Sequence, residues 1–183
     1  MKQAISFTIT FLSLLFLTAQ NVWADTYVGE HSAELFSEVQ FASRVPDDRV
    51  TKLEQFLETQ KSPLAPYAKV FVLTADKYEL PDWKLVPAIT GVESTFGKAI
   101  PFNSYNAYGW ANGECSFKNW VESIEIVTKT LKEKYVNKGL TTPETIAPVY
   151  APPSNTWAGK VRFFMQKIDN FKLVTSDFIP LSL

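Results

Sequence analysis

The sequence predicts a mainly helical single domain, interrupted once by an irregular insert. Apolar residues recur at helical spacing in several separate stretches, and helix-breaking residues fall between them. One segment, residues 98–117, abandons that period for Gly, Asn, Pro and aromatic side chains.

The chain opens "MKQAISFTITFLSLLFLTAQNVWADT", with Lys2 as a positive start, an apolar core from Ile5 to Leu17, and "VWA" as a small-residue cleavage signature ending at Ala24. Those three parts make residues 1–24 a secretory signal peptide. Its apolar core is short for a bilayer span, so cleavage is expected over the alternative of an uncleaved N-terminal anchor, with no membrane span afterwards and a periplasmic, extracellular or cell-wall location. Residues 25–44 have weak periodicity and read as an N-terminal arm, leaving residues 45–183 as the domain.

Within the domain, Val50, Leu53 and Leu57 mark a first helix in "PDDRVTKLEQFLETQ". A second is expected from Ser62 as N-cap and Pro63, with Leu64, Ala68, Phe71 and Ala75 inward. A third occupies "PDWKLVPAITGVESTFG", where Pro87 kinks it or sets its start and Gly97 stops it. The insert at 98–117 reads as a loop or a small hairpin turning at Asn112-Gly113. A helix from about Lys118 to Val136 places Trp120, Ile124, Val127, Leu131 and Tyr135 inward, which sends Glu122 and Glu125 to solvent. Thr141 and Glu144 form a capping box before a short helix through Val149. The last helix, in "TWAGKVRFFMQKI", carries Trp157, Val161, Phe164, Met165 and Ile168 as core.

Composition excludes more than it suggests. The chain has one His (His31) and one Cys (Cys115), too few for a zinc site of three or four His/Cys ligands. A Ser-His-Asp or Cys-His arrangement is excluded unless His31 in the arm served. Seven scattered Gly form no phosphate loop, so no cofactor is expected. The net charge of −1, with no basic run, gives no footprint for nucleic acid. An exported chain with one Cys has no internal disulfide and rests on core packing. Chemistry therefore falls to carboxylates and hydroxyls.

Glu93 is the carboxylate that stands out. Leu85, Ile89, Val92 and Phe96 define the buried stripe of its helix, and Glu93 lies roughly 70° from the stripe's centre, at the border. A half-covered carboxyl near a helix C-terminus is expected to hold its proton more firmly, as a general acid must. The plain alternative is a surface Glu at a helix end.

The residues "ESTFG" followed by "NSYNAYGW" resemble the signature of the lysozyme-like peptidoglycan-cleaving enzymes, both soluble lytic transglycosylases and cell-wall N-acetylglucosaminidases. "VYAPPSNTWAGKV" is similar to the Tyr-containing turn before the last helix in transglycosylases, and the likeness spans roughly residues 67–170. The resemblance implies a lysozyme-like single domain with a small irregular or β-hairpin insert after the catalytic helix. It implies Glu93 as acid/base catalyst and Ser94 as a hydroxyl that either touches the substrate or closes the helix end. Asn106, Tyr108 and Gly109 match the loop that walls the cleft, and Tyr150 the Tyr near the scissile sugar. Tyr108 and Trp110 are either sugar-stacking or packing aromatics. "YAPP" departs from the usual Tyr-Asn-Ala-Gly, which leaves the part played by Tyr150 open.

Glycoside hydrolysis commonly takes two carboxyl groups. The lytic transglycosylases that the chain resembles manage with one, because the sugar's own C6 hydroxyl is a tethered nucleophile. Candidates for a second carboxylate are Glu114 in the insert and Glu122 or Glu125 on the next helix. The latter two are expected to face solvent and "NGEC" is equally a turn tip, so none stands as an obligate partner. The expectation is thus a transglycosylase acting as a monomer on peptidoglycan glycan strands. A hydrolase is the next reading, then a non-catalytic glycan-binding module, and then a helical scaffold in which Glu93 has no role.

Overall fold

The computed structural model describes residues 47–174. The expected signal peptide at 1–24, the arm at 25–44 and His31 lie outside the described residues. The described part is mainly helical, with α1 (Asp48–Thr59), α2 (Ala68–Lys77), α3 (Leu85–Ser94), α4 (Trp120–Lys134), α5 (Pro143–Tyr150) and α6 (Trp157–Asp169). Short 3-10 turns occupy Ala65–Tyr67, Trp110–Gly113 and Val136–Lys138. No helix among the described residues is long and apolar enough to cross a membrane.

Helix α3 is the centre of the fold. Of its ten residues only Val92 and Glu93 are not buried, and its most extensive packing is against α6. Close approach is possible because α3 carries Gly91. A Cβ there would meet the Phe96 ring at 2.7 Å and Phe164 at 2.9 Å. Pro87 sits in the first turn, where its missing N–H belongs to the group that lacks a helical partner anyway. It sets the helix start and does not kink it.

The end of α3 is unusual. Thr95, Phe96 and Gly97 follow one another with φ of 53°, 59° and 78°, so two residues with side chains occupy the left-handed region. Such residues cost on the order of 1–3 kcal/mol each, which the surroundings must offset. Phe96 N–H donates to the Thr90 carbonyl at 2.9 Å, and the Phe96 ring is buried edge-on against Phe56 and Phe164. The helix therefore stops at Ser94, three residues before the expected Gly97.

Other boundaries also depart from expectation. Pro66 removes a backbone donor, so residues 65–67 form a 3-10 turn and α2 begins only at Ala68. Ser62 caps no α-helix; its hydroxyl accepts from Leu64 N–H and donates to the Phe96 carbonyl. The box before α5 uses Thr142 and Thr145, not Thr141 and Glu144. No strand is present among the described residues, and Asn112-Gly113 closes a 3-10 turn where a hairpin was one expectation.

Glu122 and Glu125 do not face solvent; both are buried. Glu122 is the third residue of α4, where it accepts from Lys118 N–H while Asn119 accepts from Glu122 N–H at 2.9 Å. Glu125 meets Lys77 at 3.1 Å and accepts from the Tyr78 hydroxyl, both on the α2 side. Helix α4 is covered on two sides, by α2 and by the insert, so a one-stripe reading places its carboxylates wrongly.

The start of α1 is held by charge. Asp47 caps it by accepting from Arg49 N–H at 2.9 Å, and Arg49 also bridges Asp76 of α2 at 2.7 Å. The Arg49 side-chain hydrogen bond holds the Asp47 carboxyl below its usual 3.8. A lowered folded value adds stability above the unfolded pKa, lost as pH falls through the folded value. Asp47→Ala is expected to cost about 0.5–2 kcal/mol at neutral pH. It should also flatten the loss of stability below about pH 4 in urea titrations.

Candidate active site

The site is assembled where α3, the insert, α5 and α6 meet. Glu93 is half-buried at the one open turn of an otherwise buried helix. Its Oε1 accepts a hydrogen bond from Trp157 Nε1 at 2.6 Å. Oε2 lies on the Gly109 side, and a Cβ built on Gly109 would stand 3.0 Å from it. Gly109 has φ +68°, so both its backbone and this close approach require glycine. A hydrogen bond to a charged group contributes about 1.5–3 kcal/mol, which helps offset the carboxylate's partial desolvation.

Tyr150, the last residue of α5, completes the cluster. Its hydroxyl donates to the Tyr108 carbonyl at 2.9 Å, and its ring lies 4.9 Å from Trp157 at 30° and 6.1 Å from Tyr135. Burial pushes the Tyr150 phenol well above its ordinary range, and the neighbouring Glu93 charge adds to the rise. Tyr150 is therefore a neutral donor at physiological pH. Hydrogen bonding from the Trp110 side chain works against the rise without cancelling it. Glu93 thus sits among Tyr150, Trp157 and the Gly109 backbone, with Trp110 beside them.

Of the residues that the sequence marked, Glu93, Gly109 and Tyr150 come together here. Ser94 and Asn106 are buried behind the site and order its backbone. The Ser94 hydroxyl lies 3.0 Å from the Thr90 carbonyl and 2.9 Å from that of Ala107, and accepts from Gly97 N–H at 2.9 Å. This pins the end of α3 to the insert. Asn106 donates from Nδ2 to the carbonyls of Trp110 (2.9 Å) and Cys115 (3.0 Å), and its Oδ1 accepts from Trp110 N–H at 3.1 Å. Asn106→Ala would leave those partly buried backbone groups without this partner. It is expected to destabilise the domain by roughly 2 kcal/mol or more, read as a lowered urea midpoint.

The Tyr108 ring is 1 % exposed, its hydroxyl lying by Ser123, so its side chain belongs to the core and offers no sugar-stacking face. Trp110 is half-buried and packs on Phe117 at 6.0 Å. Glu114 is exposed at the end of the 3-10 turn, and no hydrogen bond or ion pair among the described residues joins it to Glu93. Among the described residues no cluster of His, Cys, Asp or Glu could hold a metal ion. Two surface depressions, of about 280 and 510 Å³, flank α5 and are not lined by Glu93.

Sequence reasoning placed Trp157 with the core and missed its bond to Glu93. The available signal was chemical: an indole on an inward stripe carries an N–H that needs an acceptor once buried. No protein-family model matches the chain, and no curated protein matches it.

Proposed function

We propose that the protein is an exported enzyme that cuts the MurNAc–GlcNAc backbone of peptidoglycan, as a lytic transglycosylase with Glu93 as its acid and base. The observation that carries this reading is Glu93 itself: a half-buried carboxylate at the end of a buried helix, held by an indole N–H and walled by aromatic side chains. Aromatic rings beside polar groups suit the apolar faces and hydroxyls of sugars. The wider sequence likeness supplies the substrate class.

In the first step the Glu93 carboxylic acid gives its proton to the glycosidic oxygen as the bond to the MurNAc C1 breaks. The carboxylate then takes the proton of the MurNAc C6 hydroxyl, whose oxygen bonds to C1 and closes a 1,6-anhydro ring. Glu93 ends protonated, and no water is consumed. A single carboxylate suffices, consistent with Glu122 and Glu125 being tied to other partners.

Mass spectrometry of purified peptidoglycan digested by the protein tests the reading. Products one water lighter than reducing sugars are expected. Reducing ends would make the enzyme a hydrolase, with Glu114 the first second carboxylate to substitute. Binding without any products would make it a glycan-binding module.

A further inference from the structure

We infer that Trp157 is a positioning residue that decides which oxygen of Glu93 transfers the proton: the indole N–H holds Oε1, and Oε2 serves the substrate. This rests on Glu93 acting as the acid. A carboxyl group has two oxygens that exchange by rotation of its last torsion, and a proton on the wrong one points away from the bond to be broken. The 2.6 Å bond from Trp157 Nε1 occupies Oε1 and stops that rotation. The other oxygen faces Gly109, the position in the insert whose missing side chain leaves room for a substrate oxygen.

The indole is itself held. Trp157 is 3 % exposed at the start of α6, and its ring lies against Tyr150, whose hydroxyl is anchored to the Tyr108 carbonyl, next to Gly109. The donor on one side of the carboxylate and the backbone on the other are thus parts of one connected unit. An indole N–H donates only and does not titrate in the working range, so Trp157 orients the acid and cannot replace it.

The test is Trp157→Phe, which keeps an apolar ring against Tyr150 and removes the N–H. Its kcat on peptidoglycan should fall on the order of 10²-fold with KM little changed, as expected when a reacting group is misaligned. In proton–nitrogen NMR spectra, the indole resonance that Trp157→Phe deletes should move upfield in Glu93→Ala. Wild-type kcat in a folded Trp157→Phe overturns the inference and leaves the reading of Glu93 intact. An indole resonance unmoved in Glu93→Ala overturns it as well, and decides the matter if Trp157→Phe does not fold. A wild-type protein that cleaves no glycan removes the reading of Glu93, and this inference with it.

Discussion

Glu93→Gln is expected to abolish glycan cleavage while leaving the fold in place. The amide is nearly the shape of the carboxyl, and its oxygen can still accept from Trp157 Nε1, so packing at the end of α3 persists. In the proposed mechanism the amide removes both the proton for the glycosidic oxygen and the base for the C6 hydroxyl. Positioned acid–base groups contribute about 10²–10⁴-fold, and one group used in both steps belongs at the upper end. Initial rates of muropeptide release, with circular dichroism as the check on folding, measure it. A folded variant that retains a rate within about tenfold of wild type would remove Glu93 from the chemistry.

Phe96→Ala should have the largest effect on stability. The Phe96 ring is 2 % exposed, lies edge-on to Phe56 at 5.5 Å and to Phe164 at 4.9 Å, and covers the Cα of Gly91. Its removal opens a cavity at the junction of α1, α3 and α6, and Gly91 has no side chain with which to fill it. Phe-to-Ala changes at such sites cost about 3–5 kcal/mol. The backbone strain at φ 59° stays, because alanine tolerates that conformation little better. A fall in Tm on the order of 10–20 °C is expected by calorimetry. A fall of only a degree or two would mean that α3 and α6 can close over the gap.

Periodicity made the helices legible and their ends much less so. Leu85 and Ile89 are buried as the stripe requires, but the rest of α3 is also nearly all buried, because neighbours cover it on several sides. Glu93 is half-exposed as the border of that stripe suggested, but so is Val92, which the stripe placed inside. Ser94 was readable as a hydroxyl at the helix end, but its tie to the Ala107 carbonyl and the backbone bonds of Asn106 join segments that no side-chain pattern announces. Glu125 misled because its partners, Lys77 and Tyr78, lie at the end of α2 about fifty positions away in the chain, and a wheel drawn on one helix cannot contain them. Trp157 was hidden for the same reason, its acceptor lying 64 residues upstream.

That separation sets an order of events. Chains are made from the N-terminus, and contacts between distant positions form after local ones. Helices α1 to α4 can begin to associate while Glu93 still lacks its indole donor. Only when α6 has emerged and docked on α3 does the carboxylate acquire its partner. A chain halted before Trp157 would carry Glu93 without its indole donor, so the surroundings of that carboxylate are completed only by a helix that emerges after α1 to α5.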